Sequence, residues 1–80
     1  MDEKEIKYYI NRFIESTAEY APRDDENLLE MGILDSMGVA ELLAYIEKQF
    51  DVAINLEDIT LENFSTINAI SHLIESNIRG

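Results

Sequence analysis

Gly32-Ile33-Leu34-Asp35-Ser36-Met37 runs without a break into Gly38-Val39-Ala40-Glu41-Leu42-Leu43-Ala44-Tyr45-Ile46-Glu47-Lys48-Gln49-Phe50, and the reading of this stretch decides the fold. Counted at about 100° per residue from Leu42, the side chains of Val39, Leu43, Ile46 and Phe50 share its apolar arc, which predicts a helix from Ser36 to Phe50 packed on a core. Met37, Ala40, Glu41, Ala44, Glu47 and Lys48 fall on the opposite side, where a small apolar strip is flanked by charge. The start of the run puts a serine hydroxyl beside one carboxylate at the mouth of the helix. Backbone N–H groups there lack intrahelical partners and their dipoles favour an anion, so a phosphodiester on Ser36 would sit in a suitable field. Ser36 or Asp35 also suits the N-cap, and this reading stands beside the first.

Upstream, Asp2 and Glu5 have the spacing of a capping box, and Ile6, Tyr9, Ile10, Phe13 and Ile14 recur at three- and four-residue intervals. A first helix with one buried stripe follows. Ala21-Pro22-Arg23-Asp24-Asp25 breaks the period and marks a loop. Leu28, Leu29, Met31, Ile33 and Leu34 make that loop apolar enough to lie across the helices rather than float. Downstream, Asp51 to Asn55 carries Val52 and Ile54 at alternate positions and reads as a short extended link. Leu56 to Ile59 and Thr60 to Phe64 are two candidate turns, from which one short third helix is expected. Ser65 is expected to cap a last helix whose Ile67, Ile70, Leu73 and Ile74 share a face, ending near Asn77 with Gly80 as a tail.

Eighty residues suffice for one small domain, spanning 1–80, with no second core. Seventeen acidic residues against six basic ones give a formal charge of −11, which repels nucleic acid and anionic lipid alike. Basic patches on other proteins are the natural partners, with an attraction that weakens as salt rises. The chain has no cysteine, so disulfides and thiolate metal sites are excluded and any thiol chemistry must be imported. The segment Met1-Asp2-Glu3-Lys4-Glu5 lacks the basic start of a secretion signal and no stretch is long enough to span a bilayer, so cytoplasmic residence is expected.

The single histidine, His72, has no second His, Cys or carboxylate at ligand spacing and reads as a surface or boundary residue; no metal site is expected. Tyr8, Tyr9, Tyr20 and Tyr45 lack the basic surroundings of a base-stacking platform. Asp24, Asp25 and Glu26 lack the glycine and spaced oxygens of a calcium loop. No nucleophile is paired with a general base, so catalysis by the chain itself is not expected.

The run from Leu28 to Leu42, with its Asp35-Ser36-Met37 triplet, resembles the signature of acyl carrier proteins, and the likeness extends over nearly the whole chain. It takes in the first helix, the long loop, Phe50-Asp51 and the Glu62-Asn63-Phe64-Ser65-Thr66-Ile67 run. The resemblance implies an all-α, up-and-down bundle of three main helices plus one short helix. It implies 4′-phosphopantetheine, derived from coenzyme A, carried covalently on Ser36, with Asp35 helping the modifying enzyme. Acyl or aminoacyl groups would ride on it as thioesters between the enzymes of fatty acid, polyketide, nonribosomal peptide or related pathways.

Partners would be a phosphopantetheinyl transferase, an acyl- or aminoacyl-activating ligase and downstream condensing, modifying or transfer enzymes; the protein itself is expected to be a monomer. Met37, an exposed and adaptable thioether, suits docking to several enzymes in turn. Glu41 and Glu47, bordering Ala40 and Ala44, match the acidic rim that such carriers present. Gly38 and Lys48 depart from the acidic residues common in fatty-acid carriers, and in this the segment is similar to D-alanyl carriers and to the free-standing carriers of specialised clusters. The rival reading is an unmodified acidic adaptor of the same fold that uses the second helix for docking alone.

Overall fold

A computed structural model describes residues 2–79, and its described residues form three α-helices and one 3-10 turn. Helix α1 spans Glu3–Ala18. Asp2 caps it, its Oδ1 accepting the Glu5 N–H at 2.9 Å, and Glu19 ends it in the left-handed region with its N–H donated to the Glu15 carbonyl. Ile6, Ile10 and Ile14 are fully buried, with Tyr9 and Phe13 packed along the margin of the same stripe. Each buried isoleucine withdraws enough apolar surface from water to contribute about 1.5–3 kcal/mol.

The loop from 19 to 35 is fastened along its length. The Asn11 side-chain amide donates to the Pro22 carbonyl at 3.1 Å, Lys7 pairs with Asp24 at 3.6 Å, and the Asn68 N–H donates to the Asp24 carbonyl at 3.1 Å. Farther on, Leu28 donates to the Ser65 carbonyl at 2.7 Å while its own carbonyl accepts the N–H groups of Ile33 and Leu34. Leu28 and Leu34 are buried and Leu29 and Ile33 pack against the core, as a loop laid across helices requires. Met31 is the exception; with Gly32 at φ +75° turning the chain beside it, its side chain faces water.

Helix α2 spans Ser36–Phe50 and buries Leu42, Ile46 and Phe50, with Val39 and Leu43 at the margin. An aromatic seam joins it to α1: Phe13 stacks on Tyr45 at 4.6 Å, and Tyr9 meets Phe50 edge-on at 5.9 Å. Burial raises the Tyr45 phenol above its ordinary value, with the neighbouring Tyr9 adding to the effect. Asp51 closes α2 in the left-handed region, and the extended link that follows buries Ile54.

Two expectations are corrected after this point. The expected short third helix is a single 3-10 turn, Leu56–Asp58, because the next residues fold into separate hydrogen-bonded turns. In those turns Phe64 and Ser65 donate to Leu61 and Glu62, the Asn63 side chain donates to the Asp58 carbonyl, and Phe64 is driven into the core. Helix α3, Ile67–Arg79, is capped by Thr66, whose Oγ1 accepts the Ala69 N–H at 3.0 Å; the Ser65 hydroxyl is donated backwards to Glu62 instead. The helix therefore starts one residue later than expected and runs two residues past Asn77, while Gly80 lies outside the described residues. Ile67, Ile70, Leu73 and Ile74 complete the core. Among the described residues no helix is long and apolar enough to cross a membrane.

Candidate functional site

The mouth of α2 is organised by Asp35. Its backbone is extended, its Oδ1 accepts the Gly38 N–H at 2.8 Å and its carbonyl accepts the Val39 N–H at 2.8 Å. Asp35 is thus the N-cap, which leaves Ser36 as the first helical residue with an exposed side chain. The Ser36 and Met37 N–H groups, first and second in the helix, have no intrahelical acceptor and remain for an anion. The third is already taken by Asp35.

Ser36 borders a groove of about 580 Å³ lined by Leu29, Leu34, Val39, Ile59 and Leu61. On the other side of the helix mouth, Asp35, Met37 and Gly38 join Phe13, Thr17 and Glu41 around a smaller hollow of about 240 Å³. A larger depression, about 630 Å³, lies among Lys7, Tyr8, Asn11 and Arg12 on the solvent side of α1; it shares no lining residue with either and is walled by polar side chains.

The outward arc of α2 is mostly as expected. Met37 is 71% exposed, and Ala40, Glu41 and Ala44 are exposed along the same face. Glu47 is different. It is half-buried and its Oε2 accepts the Ile54 N–H at 3.2 Å, because the link after α2 folds back against it. Among the described residues the ion pairs join Lys7 to Glu3 and Asp24, and Arg23 to Asp25 and Glu26, so neither Asp35 nor Glu41 has a cationic partner. His72 is exposed on α3. Leu61, missed by the sequence reading, is 75% exposed yet lines the Ser36 groove. The signal was a leucine between Thr60 and Glu62 in a segment with no helical period.

Residues 11–74 match the family described as the phosphopantetheine attachment site. The chain is similar to a D-alanyl carrier protein of Streptococcus uberis, 30% identical over 70 residues that cover 88% of this chain and 85% of the relative. D-alanyl carrier proteins of Streptococcus suis and Streptococcus sanguinis are 39% and 37% identical over 46 residues, 58% of each chain. The mouth of α2 and its exposed arc lie inside the matched span. The chain belongs to the phosphopantetheine attachment site family, and it is a carrier protein whose cofactor is a 4′-phosphopantetheine arm.

Proposed function

We propose that Ser36 is the residue that bears the arm, and that the cargo held there is a D-alanyl group. The observation that carries the first part is the position of Ser36: first residue of α2, exposed, and left without a capping role by Asp35. The residues fit the group. A phosphodiester on Ser36 would lie within reach of two N–H groups without helical acceptors, and the apolar groove beside it offers cover for an aliphatic chain. When bound, the arm supplies a terminal thiol on which an acyl group is held as an activated thioester at high local concentration.

The chain's own residues position and present. Asp35 fixes the helix mouth and lies beside the hydroxyl that a phosphopantetheinyl transferase must approach. Met37, Ala40, Glu41 and Ala44 form the surface on which that enzyme and later partners dock, while Glu47 anchors the following link. Catalysis belongs to those partners, and the work is done in the cytoplasm, where coenzyme A is supplied. The D-alanyl cargo rests on the likeness to three D-alanyl carrier proteins. The test is loading: holo protein is incubated with ATP, an amino-acid-adenylating ligase and either D-alanine or competing acids. A hydroxylamine-labile D-alanyl adduct in preference to the others is expected; preferential loading of a fatty acid would overturn the cargo assignment and leave the carrier role standing.

A further inference from the structure

The sulfur of this chain lies in methionine alone, at positions 1, 31 and 37, and no cysteine thiol competes with it for an oxidant. Met1 is outside the described residues. Met31 is 45% exposed and Met37 71% exposed, so a peroxide dissolved in water reaches both thioethers. What surrounds the two differs. Met37 follows Ser36 directly in the first turn of α2 and walls the hollow of about 240 Å³ together with Phe13 and Gly38. Met31 sits beside the Gly32 turn and lines neither that hollow nor the larger groove next to Ser36. One exposed thioether is therefore at the helix mouth and the other is away from it.

We propose that Met37 is a site of reversible oxidation by hydroperoxides, and that its sulfoxide slows attachment of the arm to Ser36. The chemistry balances with hydrogen peroxide as the oxidant. The O–O bond breaks, one oxygen forms an S–O bond to the thioether, the sulfur gives up two electrons, and the other oxygen leaves as water with both protons of the peroxide. An enzyme that reaches the Ser36 hydroxyl must cover the next side chain, so the proposal rests on the reading of α2 as the docking face. A thioether offers that enzyme soft, apolar surface, whereas a sulfoxide carries a strong dipole whose water must be stripped on docking. The fold is spared, because Met37 takes no part in the core.

The test uses the apo carrier, because an attached arm brings a thiol that peroxide would also oxidise. Wild type, Met31→Leu and Met37→Leu are treated with hydrogen peroxide, the excess is removed with catalase, and peptide mapping locates each one-oxygen mass gain. Initial rates of arm attachment with coenzyme A and a promiscuous phosphopantetheinyl transferase are then compared with each protein's own untreated sample. Treatment should raise the KM for the carrier about tenfold in wild type and in Met31→Leu at unchanged kcat, the scale of spoiling one interface anchor. Met37→Leu should keep its untreated rate. A pair of methionine sulfoxide reductases, one for each sulfoxide epimer, should restore the treated wild type. The proposal is overturned if wild type carrying the Met37 sulfoxide loads as fast as before, if Met37→Leu slows equally, or if Met31 is converted while Met37 is not. Loss of helicity on oxidation of Met31→Leu also overturns it, because slow loading would then report unfolding. Untreated Ala44→Trp, on the same exposed arc, judges the underlying reading. Slow loading of that variant beside a silent sulfoxide overturns the oxidation site and leaves α2 docking standing; fast loading beside a silent sulfoxide removes both. Wild type and Met37→Leu decide the matter on their own should Met31→Leu fail to fold.

Discussion

The Asp35 carboxylate accepts the Gly38 N–H at 2.8 Å, so the residue beside the serine bears the structural role that the serine could have filled. Separating the two roles has a measurable consequence. Asp35→Ala should cost about 0.5–2 kcal/mol through loss of the cap, whereas Ser36→Ala should leave the urea midpoint almost unchanged. Equal destabilisation by both substitutions would mean that the hydroxyl also supports the helix mouth.

The core assignment of α2 predicts a second contrast. Leu42 is fully buried and Phe50 is 9% exposed, so truncation to alanine at either site should cost about 2–5 kcal/mol. A small domain has little stability to lose, and one or both variants should be unfolded or loosened at room temperature. Unchanged urea melts would place the wrong face of α2 against the core.

Glu41 and Glu47 share the outward arc in a helical count but should behave differently. Glu41→Lys should slow association with partner enzymes at low salt and flatten the salt dependence of loading, with little change in stability. Glu47→Ala should cost about 1–3 kcal/mol, because the N–H of the buried Ile54 loses a charged acceptor. Stopped-flow association and thermal melts on the two variants separate the roles; a destabilised Glu41→Lys with a stable Glu47→Ala would reverse them.

Glu26 ties the α1–α2 loop to pH. Its carboxylate accepts the Arg23 N–H at 2.7 Å and the Tyr20 hydroxyl at 3.1 Å. The Arg23 amide, reinforced by Tyr20, holds the Glu26 carboxyl below its ordinary value of 4.5 and the bond raises the Tyr20 phenol. Because the folded value is the lower one, the contribution is full above 4.5 and disappears as pH falls through the folded value. Wild type should therefore melt above Glu26→Gln at neutral pH and converge with it in acid. Parallel melting curves across that range would show that the Glu26 hydrogen bonds to Arg23 and Tyr20 do not couple the loop to pH.

Most of the helical frame was legible because its signals are periodic. The isoleucines of α1 and α3 and the Leu42, Ile46, Phe50 stripe repeat at helical spacing, and the Asp2 cap and the bounds of α2 follow from local chemistry. What was not legible depended on tertiary placement. Glu47 counts as outward on an isolated helix, and only the fold-back of residues 51–55 gives it the Ile54 amide. Ser65 and Thr66 are equivalent caps by type; the turn that precedes them directs the Ser65 hydroxyl to Glu62 and leaves Thr66 the role. Phe64 and Leu61 sit three residues apart in one aperiodic segment, yet one is buried and the other exposed beside Ser36. In the site, the Asp35-Ser36 pair could be read from type and position, but the two flanking hollows required Phe13, Ile59 and Leu61 to be brought together from other segments.

Whether Ser36 bears the arm is decided by intact mass spectrometry with peptide mapping. Apo wild type and Ser36→Ala are each incubated with coenzyme A and a promiscuous phosphopantetheinyl transferase. One phosphopantetheine adduct is expected on wild type, localised to the peptide containing Ser36, and none on a folded Ser36→Ala. An adduct that persists in the alanine variant, or a folded wild type that acquires none, would contradict that assignment.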